Sequence, residues 1–256
     1  QGMPAVAVTD SSNMFGAMEF ATEAAKSGVQ PIIGVQVLYQ DENHQLVLLA
    51  QNEAGFRNLS RLVSDAYMAG DIDARAVISR DELSKYHEGI LCLSGGPKGP
   101  VNDALYHKQN EKAEEELLFL KNVFSDRLYV ELQRHGWAEE EAIEGALLDL
   151  AYKHDVPLVA TNDCYFVDRK AHEAHDALLC ISAGRYVTEE DRRKVTPEHY
   201  FKSAAEMEAL FADVPEAIAN TSVIAQRCSF LLEPVAPLLP PFDCEGGRSE
   251  IEELRA

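Results

Sequence analysis

Short apolar runs rich in β-branched residues alternate along this chain with longer amphipathic stretches, and several of the runs end in polar side chains. The clearest is VPLVATND at 156–163, which reads as a buried parallel strand ending at Thr161, Asn162 and Asp163. The design recurs at 5–8, ending at Thr9 and Asp10, and at 90–93, ending at Ser94, Gly95 and Gly96. It recurs again at 128–132, ending at Gln133, Arg134 and His135. Polar residues at such carboxyl ends line sites in barrels of parallel strands, because the connecting loops open there. Two further runs, 31–39 and 45–52, are joined by the polar DENH and predict a hairpin that interrupts strict alternation.

Helical spacing predicts elements over 14–26, stopped by Gly28, and over 54–69 with Leu59, Leu62, Val63 and Ala66 as the buried stripe. The tetrad SRDE at 79–82 has the form of a capping box for a short helix reaching Tyr86. Further helices are expected over 110–124, 139–154, 169–183, 204–211 and 215–227. The segment LEPVAPLLPPFDCEGG lacks periodicity and reads as a linker near 233–247, with a last helix opening at 249. Strands alternating with helices imply an α/β fold, a largely parallel sheet closed or nearly closed with helices outside. The expected division is a barrel at 1–200, a helical extension at 201–232, and a linker with the start of a further domain at 233–256.

Charge narrows the function. A formal net charge of −20 over 256 residues repels phosphate backbones, so this segment is not expected to grip nucleic acid by itself. The cysteines at 92, 164, 180, 228 and 244 are odd in number and scattered, which argues for a reducing, cytoplasmic setting without disulfides or a zinc ribbon. No apolar run is long enough to span a bilayer, and the opening QGMPAVAVTD has neither a signal-peptide pattern nor a starting Met. The chain is expected to be a piece of something longer.

Asp10, His135 and Asp163 stand at or just after the ends of three separate strands. Two carboxylates and an imidazole converging there suit a divalent or transition metal serving hydrolysis. The structural reading, which spacing alone favours, makes each aspartate the cap of the following helix and His135 an ordinary buried hydrogen-bonding residue. His172 and His175, three apart on one predicted helix, read as one half-buried and one exposed residue; His44, His87, His107, His154 and His199 read as surface residues. SGGPKG lacks the phosphate-loop pattern, and Ser94 lacks a nucleophile elbow.

With these residues in view, the chain resembles the polymerase-and-histidinol-phosphatase (PHP) domains of bacterial replicative DNA polymerase III alpha subunits. GMPAVAVTDSSNMFGAMEF, GVQPIIGVQV, LVLLAQNEAGFRNLSRLVSDAY, ILCLSGG, LYVELQRHG, VPLVATNDCYF, AHDALLCISAG and ALFADVPEAIANTSVIAQRC carry the resemblance in family order over nearly the whole chain. It implies a distorted, TIM-like β/α barrel of about seven strands, and a parent that extends primers with a magnesium site outside this segment. It also implies contacts with a proofreading exonuclease and other replicase subunits, and DNA held by the parent.

Members with an intact metal site carry an H-x-H strand, expected upstream of Gln1 here. Where they read T-D-H, this chain has Thr9, Asp10, Ser11; their glutamate after P-I-x-G is Gln36; the cysteine of S-G-C is Gly96; the histidine of T-N-D-x-H is Tyr165. Only Asp10, His135 and Asp163 match. Ser, Gln, Gly and Tyr do not replace a thiolate, a carboxylate and imidazoles as strong ligands, so the resemblance implies a vestigial, metal-free scaffold. The alternative is a metal-dependent phosphoesterase or 3′–5′ exonuclease at the barrel mouth.

Overall fold

The computed structural model describes residues 2–41, 43–69, 75–236, 242, 244, 246 and 248–255. Strand β1 (Ala5–Val8) is followed by helix α1 (Ala17–Lys26) and by β2 (Gln30–Tyr39), which lies parallel to β1 with Val6 opposite Pro31. Gly28, at φ +72°, supplies the left-handed residue that ends α1. The polar turn after β2 leads into β3 (Gln45–Ala50), antiparallel with Gly34 opposite Leu49, so the expected hairpin forms. Helix α2 (Glu53–Ala69) comes next, and then β4 (Val77–Ile78), a two-residue strand beside the end of β2 that is too short to leave a pattern. Helix α3 (Arg80–Lys85) starts with the anticipated capping box: the Ser79 hydroxyl accepts from the Glu82 N–H, and the Glu82 carboxylate accepts from the Ser79 N–H.

Strand β5 (Ile90–Leu93) pairs antiparallel with β3 and parallel with β6 (Leu128–Leu132), and β6 pairs parallel with β7 (Leu158–Ala160). Between them lie α4 (Pro100–Tyr106), α5 (Asn110–Phe124) and α6 (Ala138–Lys153). Hydrophobic spacing does not announce α4, whose seven residues are too few to repeat a stripe. A 3-10 turn (Arg169–Ala171) leads into α7 (His172–Ala183), followed by α8 (Ala204–Leu210), α9 (Pro215–Arg227) and α10 (Glu250–Arg255). Most of the proline-rich stretch expected as a linker lies outside the described residues.

The seven strands make one α/β sheet in the order β1-β2-β3-β5-β6-β7, with β4 beside β2. Only β3 runs against its neighbours. The architecture is the expected distorted barrel in open form: β1 and β7 are the two ends of the pairing order, and among the described residues they do not pair with each other. Helix α9 and the residue after it bridge β2 and β7 instead. Gln30, at the start of β2, donates to the Ala225 and Cys228 carbonyls, and Asn220 donates to the Leu158 carbonyl of β7.

Strand alternation divides the core between two faces. Leu46, Leu48, Cys92, Val130 and Leu158 meet α2, α5 and α6 through Leu59, Leu62, Leu117, Leu120 and Leu147. Ile32, Val47, Leu49, Leu91, Leu93 and Tyr129 face the other way, onto Ile224 and Cys228. The 201–232 region joins both: Phe211, Val214 and Ala217 belong to the first cluster. Burial of a side chain such as Phe211 contributes about 1.5–3 kcal/mol.

Candidate functional site

The end of β1 is held by its neighbour's backbone. The Gln36 N–H donates to the Asp10 carbonyl, the Ser12 N–H donates to the Gln36 carbonyl, and the Ser11 hydroxyl donates to Gln36 Oε1 at 2.9 Å. The Asp10 carboxylate is exposed beside Gly16 and does not cap α1, which starts at Gly16 without a side-chain cap. The capping reading of Asp10 is therefore corrected. Asn13 makes the local turn, accepting from the Phe15 N–H.

A buried carboxylate that the pattern did not single out organises the ends of β5, β6 and β7. Glu131, 3% exposed in the middle of β6, accepts from the Gly95 N–H at 3.1 Å, the Thr161 hydroxyl at 2.5 Å and Gln133 Nε2 at 3.1 Å. Its own N–H donates to Ser94 Oγ at 3.0 Å. Burial raises its pKa, and the bonds from Thr161 and Gln133 only partly oppose that. The Gln133 amide fills the space beside Gly96, where an added Cβ would stand 2.8 Å from Gln133 Cδ. The sequence signal was available: one carboxylate inside an otherwise apolar strand, LYVEL.

His135 is 1% exposed, as its bland reading anticipated, and both of its ring nitrogens are engaged. Nδ1 lies 2.8 Å from Glu140 Oε1, and Nε2 accepts the Asp163 N–H at 3.3 Å. Glu140 also accepts the His135 backbone N–H at 2.6 Å. A strap at 196–202 closes over this point. His199 stacks on His135, its Nδ1 is 2.8 Å from the Asp163 carbonyl, and its Nε2 accepts from Trp137 Nε1 at 3.3 Å. The Thr196 hydroxyl donates to the His135 carbonyl, and the Asn162 amide donates to the Tyr200 carbonyl.

His199 is thus buried, which corrects its reading as a surface residue; an isolated histidine in sequence gives no sign of a partner 64 positions away. Burial first, and His135 second, lower its pKa. Tyr165 lies 5.4 Å from the His199 ring, and burial, then Asp163, push its hydroxyl up to about 12. Asp163 does not cap the next helix: Asp168 caps the 3-10 turn before it, accepting from the Lys170 and Ala171 N–H groups, and α7 itself starts without a side-chain cap. His172 and His175 are both half-buried around Phe166, so the expected half-buried residue is found but the expected exposed one is not.

The structure therefore brings His135 and Asp163 together and leaves Asp10 at the opposite end of the pairing order. Residues 1–135, just over half of the chain, match the model of the PHP domain. The chain belongs to the PHP domain family. DNA polymerase III subunit alpha of Caulobacter vibrioides is 46% identical over 98% of this chain, and that of Vibrio cholerae is 40% identical over 96%. The same subunit of Pseudomonas aeruginosa is 37% identical over 99%. The chain spans 22–23% of the length of these three relatives.

Within the PHP frame, the side chains at the matched positions offer few metal donors. Ser11 and Gln36 bond to each other, Gly96 has no donor side chain, and Tyr165 presents a phenol whose ionisation is suppressed. His135 keeps the carboxylate partner that orients a ligating imidazole, Glu140, but its Nε2 lone pair is taken by a backbone N–H. Among the described residues, no three His, Cys, Asp or Glu side chains gather in a group that could hold a metal ion. The residues present do not fit a PHP metal centre.

Proposed function

We propose that this chain is the PHP segment of a DNA polymerase III alpha subunit and that it works there as a metal-free scaffold holding the proofreading exonuclease. The observation that carries the parentage is 46% identity across 98% of this chain to a named alpha subunit of which it spans 23%. The parent extends a primer from deoxynucleoside triphosphates in the cytoplasm, using magnesium bound by residues outside this segment. Its DNA contacts also lie elsewhere, in keeping with the net charge of −20. The scaffold role is supported by the engaged Nε2 of His135 and by the substitutions at Ser11, Gln36, Gly96 and Tyr165.

The test uses the full-length parent purified without chelators, beside its Asp163→Ala variant. Primer extension should be present in both, and mass spectrometry should find no zinc, manganese or iron retained by the segment in either. Stoichiometric metal that disappears in the Asp163→Ala protein would overturn the scaffold reading. Capture of the proofreading exonuclease by the metal-free parent is the expected partner result.

A further inference from the structure

Helix α7 is built inside out. Asp176 turns toward the protein and takes both terminal nitrogens of Arg192 at 2.5 and 2.7 Å, with the arginine side chain 5% exposed, while Glu173 in the first turn is exposed. His172 Nε2 lies on the same lobe, 2.9 Å from the Val195 carbonyl. The apolar side is the one turned outward. Leu178 is 62% and Ile181 76% exposed, three apart and so on one face, and Cys180 is the only residue of the helix that is buried. Beyond the left-handed Gly184 that ends the helix, Tyr186 and Val187 are also exposed.

The stretch 177–188, ALLCISAGRYVT, contains one charged residue, Arg185, and its guanidinium is bound by Glu189. An aliphatic and aromatic surface of this kind, uncharged in a chain of net charge −20, marks an interaction site rather than ordinary exterior. We propose that the outer face of α7 with the turn after it is an interdomain contact, covered by the remainder of the parent polypeptide. This rests on the parentage argued above.

The length of the relative and the chemistry of the face together select that occupant. The chain spans 23% of the length of its Caulobacter relative, so the parent brings a large additional surface on the same polypeptide. A tethered domain is present at high effective concentration at all times. Apolar, charge-poor contact surfaces belong to permanent interfaces, since a partner that came and went would leave them wet. A second copy of this segment would carry the same net charge of −20, which opposes self-association.

The experiment is hydroxyl-radical footprinting of the full-length parent, held monomeric as checked by light scattering, against the same chain unfolded in urea. Leu178, Ile181 and Tyr186 should be oxidised about tenfold more slowly in the native monomer, as expected for side chains in a water-excluding contact. Oxidation close to the unfolded rate in the native monomer overturns the proposal. So does protection that develops only at concentrations where the chain dimerises, or only when other replicase subunits are added. Primer extension by the same preparation reads the parentage separately, so a parent that protects this face without polymerising would sink the parentage and keep the interdomain contact.

Discussion

The imidazoles of His135 and His199 stack 3.9 Å apart and within 4° of parallel, and each ring has both nitrogens bonded. The partners assign the tautomers. Both Nδ1 atoms face carboxylate or carbonyl oxygens and carry hydrogen; both Nε2 atoms face N–H donors and carry lone pairs. The stack is therefore assembled from two uncharged rings, and a proton on either Nε2 would point at a donor.

Acid should loosen this junction. The folded-state pKa of His199 is lowered by burial and by His135, whereas the unfolded chain takes up a proton near pH 6.5. Below that pH the unfolded state binds more protons, so stability is fully present above about pH 6.5 and falls as pH drops below it. Thermal melting followed from pH 7.5 to 5.5 should show a decline that His199→Gln flattens. An unchanged midpoint across that range, in the unsubstituted protein, would contradict the buried neutral stack.

The two carboxylates beside His135 should differ sharply. Glu140 accepts from the His135 backbone, the His135 ring and the Trp137 backbone, so Glu140→Gln turns part of an acceptor into a donor and is expected to cost about 2–3 kcal/mol. Asp163 meets the two imidazoles through its backbone N–H and carbonyl, so Asp163→Ala leaves the stack in place and should cost less than about 1 kcal/mol. Chemical denaturation of both variants checks the order. Equal losses would mean that the Asp163 carboxylate retains a role at the mouth.

Placing a thiol at Gly96, where the resemblance implies one in intact sites, should not be free. Gly96 sits at φ +53°, and a Cβ there meets the Gln133 amide that bridges Glu131 and Thr161. Gly96→Cys combines left-handed backbone strain with displacement of that amide, for an expected loss of about 1–3 kcal/mol. A melting point equal to that of the unsubstituted protein would show that the space beside Gly96 is open.

Patterning made the sheet legible to a degree that differs by element. Strands β1, β5 and β6 were bounded by their apolar runs, and the hairpin was readable from DENH because so short a polar link between two strands leaves no room for a crossover. The capping box at Ser79 and Glu82 was readable because its chemistry is local. The site was harder, because its contacts are distant in sequence. Glu131, Glu140 and His199 acquire meaning only when β6, the start of α6 and the strap converge, and nothing within a few residues of His199 points to His135. Asp10 misled in the opposite way: a capping residue by type, it stands six residues ahead of the N-cap position, Gly16. The outward apolar face of α7 also broke the usual rule that a helix buries its apolar side.

Arg134 anchors the corner next to the stack, and its five N–H groups find five acceptors. Nε and Nη2 reach the two Glu144 oxygens at 2.9 and 2.6 Å, Nη1 and Nη2 reach the two Asp213 oxygens at 2.7 and 2.8 Å, and Nη1 also reaches the Leu210 carbonyl at 2.6 Å. The guanidinium lies 4.7 Å from the centre of the Phe211 ring. These bonds tie the end of β6 to α6 and to the turn between α8 and α9. Lysine keeps the charge but has three donors on one nitrogen, without the planar fork or the stacking surface. Because Asp213 is largely exposed, part of the ion pairing is screened, and Arg134→Lys should cost about 1–3 kcal/mol. Hydrogen exchange at 204–214 should speed up in that variant while β6 stays protected. Unchanged exchange there would show that apolar packing of Phe211 alone holds the corner.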